Sequence, residues 1–539
     1  RYDERIGDEE PPLHLTALRT EFRAVEHHMR GNVAAAREAS REAIALYQRV
    51  PDPVREHVVT GRLGVLLCLD GEAAEGLPMV EAAAAFLAEH GDPEQRASGF
   101  DRLAVAHAEL GQWTDALDAL DRAAKATTDA DDPYLEARIA LRRARCLIEL
   151  ERGEDAAPAA ARARDLYREL GLADHHAAAA LSYAQAMTDP ELAVSAYDEA
   201  LEVATAQSVL PARTGRARAL LAAGRAGEAI EDFVEAVALC VERDIADGSA
   251  YLRWELAGAY RQVGRMVEAA EAAEEAVAEL DRLGHQADAD RCRHLLAGLY
   301  VSIGEDEQAL QLLDRLAENL DGPDNLPGRA QVLEEAGDLL YRRDRDLLAA
   351  ERFAAAAEAY RLAGLPVDEL RAQRRHAAAL HWSGQPEAAL RTVDRAEEHL
   401  AALPAETAAE PALVWERAML ADTAARILTA VDRPEEALER IRDVPDRLRS
   451  IQAFSEALQV DLLIGEVLLR LDRPGEAEPV LRAALGSIPD RAELARRAAW
   501  LLAQALSGLG RQAEADALRT EYDLATDGDG DGDGEEYDG

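Results

Sequence analysis

The chain has almost no lysine. Lys125 stands alone, and the other 59 of its 60 basic residues are arginine. A P-loop needs a lysine in its glycine-rich turn, whereas Lys125 sits in DRAAKATTD, a helical context, so that NTPase chemistry is excluded. Cysteine is scarce as well. Cys68, Cys146, Cys240 and Cys292 are far apart and form no CxxC pair, which argues against disulfide staples and a zinc site. Aromatics make up only 4% of the residues. No apolar run approaches the ~18 residues that a membrane span requires. HExxH is missing, and the adjacent pairs His27-His28 and His175-His176 point to different sides of a helix. No catalytic constellation, metal set or cofactor motif remains, and the chain reads as a non-enzyme.

Acid and alanine are what the chain has in excess. Against 60 basic residues stand 104 acidic ones, a formal net charge of −44. Such a field opposes nucleic acid and anionic membranes over the general surface, while leaving room for a local basic groove. Arginine in place of lysine, with so much alanine, points to a high-GC genome such as an actinobacterial one. Reduced, scattered cysteines fit a cytoplasmic setting. The first residue is Arg1, from which we expect a fragment or processed chain with an upstream domain missing.

A turn signature, Gly-x-x-x-(acid)-Ala, recurs about every 40 residues, most clearly at Gly111, Gly224, Gly264 and Gly510. Its register runs 31, 71, 111, 151, 188, 224, 264, 304, 345, 384, 432, 472, 510, which means one supersecondary unit stacked many times. Glycine supplies the left-handed stop of a first helix. Five residues after the anchor alanine stands in every unit but the second: Ala36, Ala116, Ala156, Ala193, Ala229, Ala269, Ala309, Ala350, Ala389, Ala437, Ala477 and Ala515. Gly76 takes that place in the second. So small a residue lets two antiparallel helices approach closely.

Leu256-Ala257…Tyr260…Gly264…Ala269…Ala276, and the matching run through Leu296, Ala297, Tyr300, Gly304 and Ala309, resemble the tetratricopeptide repeat (TPR) family over residues 14–522. The early family tryptophan is mostly missing, and the period is about 40 instead of 34. The resemblance implies an all-α fold, a right-handed superhelical solenoid of about 13 antiparallel helix-turn-helix repeats. It also implies a concave groove lined by the first helix of each repeat. We expect a flexible lead-in over 1–12, a first repeat array over 13–402, an enlarged loop at 403–414, further repeats over 415–525 and a disordered Gly/Asp tail over 526–539. The tail also matches an EF-hand-like loop in part, and its acidic low-complexity character is the better account.

In the family, groove positions lie about 13, 10, 6 and 3 residues before the turn. Those positions here hold Arg138 and Arg145, then Arg218, Tyr251, Trp254, Arg261, Arg291, His294, Arg371, Arg374 and His381. Arginine forks and stacked aromatics there suit an acidic or phosphorylated peptide or protein, although helical arginines also pair with nearby acids. The leading expectation is a non-enzymatic scaffold that binds such a ligand. The alternative is the sensing or autoinhibitory half of a larger regulator whose DNA-binding or NTPase effector lies outside this chain. Self-association through the alanine-rich terminal helices is the remaining partner expectation.

Overall fold

The computed structural model describes residues 12–50, 52–320, 322–488 and 493–524. Most of the expected lead-in and all of the acidic tail with its EF-hand-like run lie outside them. Among the described residues there is no strand, and helices follow one another in antiparallel pairs. The chain divides into two compact units, Arg1–Ala289 and Asp290–Gly539. Residues 403–414 carry a short helix, Ala405–Ala408, and the start of Pro411–Ala430.

Local chemistry sets the helix ends. Several helices open on Asp-Pro. Asp52, Asp92, Asp132 and Asp189 each accept a backbone N–H three residues on, at 3.1, 2.8, 3.1 and 2.9 Å. The proline that follows takes the first helical position, where its missing N–H costs nothing. First helices stop on a left-handed residue. Gly264 has φ +79°, and the Arg265 N–H then donates to the Tyr260 carbonyl at 2.9 Å, six residues closed into one. The same bond closes the turns at Gly31, Gly71, Gly111, Gly224, Gly304, Gly384 and Gly510.

Aspartate or glutamate takes the left-handed position in the other turns: Glu151, Asp344, Asp432 and Asp472, with φ of 57°, 56°, 60° and 55°. Two anchors therefore need correction. In the ninth repeat the stop is Asp344, one residue before the expected 345. At Thr188 no such stop forms, because Ala173–Gln185 ends early and Asp189 starts the next helix directly. Glu151 lacks the short side chain that eases a left-handed backbone. Glu151→Gly is expected to raise stability by about 0.5–1 kcal/mol, read by chemical unfolding; an unchanged or lower midpoint would contradict the cause given.

The expected acid in the turn signature has a partner that the sequence reading overlooked. Arginine follows the left-handed residue at Arg152, Arg225, Arg265, Arg433, Arg473 and Arg511, and it forks onto the acid three residues later. Arg225 grips Glu228 through two bonds of 2.7 Å and also reaches Glu191 of the preceding repeat at 3.0 Å. Arg511 reaches back to Glu478 in the same way at 3.3 Å. These pairs are exposed and screened by solvent, so no single one contributes much. Together they knit the turn edge from repeat to repeat.

The alanines at the fifth position are all buried. Gly76 faces Gly64 across the second repeat: a Cβ at 76 would lie 2.5 Å from the Gly64 carbonyl oxygen. All four cysteines are buried free thiols. Burial pushes Cys146 up to about 11 and Cys292 up to about 12, which leaves them protonated and unreactive.

Candidate functional site

Most of the expected groove residues are engaged with a carboxylate of a neighbouring repeat. Arg138 meets Asp101 at 3.1 Å. Arg218 forks onto Glu255 at 2.8 and 2.6 Å, and the Tyr251 hydroxyl donates to Asp288 at 2.5 Å. In the second unit His294 lies 2.7 Å from Glu335, Arg371 forks onto Glu334 at 2.8 and 3.0 Å, and Arg374 meets Glu416 at 3.2 Å. The bond to Glu335 holds the His294 pKa above its ordinary value.

The pattern follows a rule. An acid ten residues before the turn is buried in three repeats, at Glu21, Asp101 and Glu334. Arginines from the next first helix converge on it: Arg55 and Arg62 on Glu21, Arg138 and Arg142 on Asp101, Arg371 and Arg375 on Glu334. Tyr47 and Tyr360 donate to Glu21 and Glu334 from behind, at 2.7 and 3.0 Å. Arg138 and Arg371 thus brace one repeat against the previous one.

The remaining candidates are dispersed. Trp254 stacks on Tyr251 with ring centres 6.5 Å apart. Arg261 and Arg291 are exposed, on Ala246–Gln262 and Gln286–Ile303. His381 packs beside Trp382, and burial lowers its pKa. Arg145 is exposed and has no ion pair among the described residues; partial burial, then the neighbouring Arg142, depress its pKa.

A cleft lies earlier in the chain, on the first four repeats. The first helices Pro53–Leu69, Pro93–Glu109 and Pro133–Glu149 pack on one another in succession and form one wall. A cavity of about 550 Å³ opens on that wall between Leu13–Met29, Pro53–Leu69, Pro93–Glu109 and Pro133–Glu149. Its floor carries Val25, Val65 and Val105, each six residues before its turn. Its cations include Arg62, Arg102 and Arg142, each nine residues before its turn, with Arg138 beside them. Of the eleven expected residues only Arg138 lines it. The signal was present in the sequence: valine and arginine at fixed offsets through successive repeats. Sampling offsets 13, 10, 6 and 3 from the fourth repeat onward passed over offset 9 and the first three repeats.

No family model matches the chain, and neither does any of the curated proteins. Solved structures are similar at low identity. A Rap protein in complex with competence and sporulation factor is 16% identical, over 68% of this chain and 100% of that one, with a TM-score of 0.39. A tetratricopeptide repeat protein from Parabacteroides merdae is 14% identical, over 49% and 92%, with a TM-score of 0.33. Yeast Tom70 is 15% identical, over 94% and 97%, with a TM-score of 0.29. The described residues form an all-α array of repeated helix pairs. Among the described residues no group of side chains is arranged to hold a metal ion, and no helix is long and apolar enough to cross a membrane.

Proposed function

We propose that this chain is a non-enzymatic scaffold that captures an extended segment of a protein or peptide on the first-helix wall of its first four repeats. The observation that carries the reading is the 550 Å³ cleft, built mainly from first helices with Ser40 of Val33–Arg49 beside them, with Val25, Val65 and Val105 set among charged residues. An apolar floor takes side chains of a ligand out of water, and arginines along the sides fix its polar groups. Further along the first unit, Arg145, Arg218 and the stacked Tyr251–Trp254 pair extend the same surface, with the aromatics as secondary anchors.

The test is a selection of random displayed peptides against the whole chain, followed by affinity measurement. Val65→Glu combined with Val105→Glu is expected to weaken the selected peptides about tenfold or more, a loss of about 1.4 kcal/mol, with helicity unchanged. Arg374→Ala, in the second unit, is expected to leave them unaffected. Peptides that ignore the valine pair and respond to Arg374 would place capture elsewhere.

A further inference from the structure

We infer that the groove recognises a neutral amide group, with Asp101 accepting its N–H while Arg102 and Arg138 donate to its C=O. The inference rests on the groove reading and gives it a ligand chemistry.

Charge in the cleft is balanced, for four carboxylates and four arginines line it. A carboxylate or an ammonium brought onto such a surface would leave water without gaining an unspent counter-charge. A polar ligand group that is itself neutral escapes that cost.

Hydrogen-bonding capacity at the centre of the cleft is not used up. Asp101 is only 2% exposed. Arg138 lies 3.1 Å from its Oδ2 and Arg142 2.5 Å from its Oδ1, yet Oδ1 accepts no aligned hydrogen bond among the described residues. Two donors beside it are in the same state: Nη1 of Arg102 and Nε of Arg138 are buried and unpartnered. Asp101 and Glu21 act as counter-charges to Arg102, although burial, then repulsion from Arg62, still lowers its pKa to about 9. What Nη1 lacks is a hydrogen bond, not a charge.

Two unpartnered donors and one unpartnered acceptor form a specific set. An amide oxygen has two lone pairs and its nitrogen carries an N–H, so one amide meets all three. A carboxylate lacks the donor, and an ammonium lacks the acceptor. A hydroxyl has the inventory on a single atom, whereas these three groups are spread over two helices, Pro93–Glu109 and Pro133–Glu149. Arg102 and Arg138 are half-buried arms on the cleft surface, so a turn of either side chain opens the three atoms to an entering group. Buried polar groups left unmet are costly, and the amide that meets them gains by it.

Two sources carry this group. One is the side chain of asparagine or glutamine; the other is the main chain of an extended segment, where N–H and C=O of one residue face the same side. The experiment presents the whole chain with degenerate peptide pools fixed at a central asparagine, aspartate, leucine or threonine. A peptide from the selection above is also N-methylated residue by residue. The wild-type chain is expected to retain the asparagine pool about tenfold better than the aspartate and leucine pools, its near-isosteres. Arg102→Ala should abolish that preference, and Arg102→Lys should restore part of it, with helicity unchanged in both. Pools retained alike, with one N-methyl group that weakens binding about tenfold in the wild type and far less in Arg102→Ala, assign the subsite to the main chain. Pools retained alike with no such position overturn the subsite. So does a preference for aspartate or threonine, and so does an asparagine preference that survives in Arg102→Ala. The Val65→Glu, Val105→Glu variant separates the two claims. If it loses peptides that the wild type binds without regard to amides, the groove stands and the subsite falls. If it binds like the wild type while Arg102→Ala still loses the asparagine preference, the subsite stands and the groove falls.

Discussion

Replacing Glu334 with alanine is expected to remove about 1–3 kcal/mol of stability, because it takes the buried acceptor from Tyr360 and one of two carboxylate partners from each of Arg371 and Arg375, which keep Asp368 and Asp338. The carboxylate accepts from Tyr360 at 3.0 Å and from Arg371 at 2.8 and 3.0 Å, with Arg375 3.5 Å away. Repeat arrays draw stability from each repeat and its neighbours, so the loss should be read in the second unit, by faster amide exchange and an earlier unfolding transition. Wild-type behaviour of Glu334→Ala would contradict the bracing role.

The same site fixes a pH dependence. Burial alone would raise the Glu334 pKa, but the Arg371 hydrogen bonds and charge outweigh it and hold the carboxyl below its usual range. A depressed folded pKa contributes stability that is complete above the unfolded value, about 4.3, and is lost as pH falls through the folded one. Glu416 behaves in the opposite sense. Burial holds its pKa up, and the nearby Arg374 offsets this only in part. Its ionised form opposes folding at neutral pH, and that opposition fades as pH falls through the raised folded value. Glu334→Gln should therefore destabilise at neutral pH and matter little in acid, while Glu416→Gln should cost far less at neutral pH.

Gly76→Val is the second large effect, expected at about 3 kcal/mol, the upper end of what overpacking costs. Cβ at 76 would stand 2.5 Å from the Gly64 oxygen and 2.8 Å from the Cys68 sulfur, and the obstructing oxygen is backbone that cannot swing aside. Gly258→Ala is the matching control. It lies within Ala246–Gln262 with open space around it, so alanine there should add about 0.5–1 kcal/mol by stiffening the unfolded chain. Thermal unfolding of the two variants measures both. A tolerated valine at 76 would mean that the two helices of this repeat are not in backbone contact.

The fold was legible in the sequence because its determinants are local and repeated. Left-handed stops need glycine, close helix pairs need alanine, and both recur at fixed spacing. Errors arose where a different residue does the same work. Asp344 replaces glycine, which moved one anchor by a residue, and Asp189 opens a helix where a stop was expected. The one-residue shift in that anchor also places the buried acid, ten residues before the turn, at Glu334. The site was less legible. An arginine six or thirteen residues before a turn looks the same in sequence whether it faces a ligand or a carboxylate one repeat away. Only the spatial partner separates Arg371, which is tied to Glu334, from Arg102, which is not.

Capture on the first-helix wall of the first four repeats is tested most directly by photo-crosslinking. A selected peptide carrying a photoreactive side chain is bound to the whole chain, irradiated, and its adducts are located by mass spectrometry. The account predicts adducts on the first helices of those repeats, around Val25, Val65, Val105 and Arg102. Adducts confined to the second helices, or to Asp290–Gly539, would contradict it.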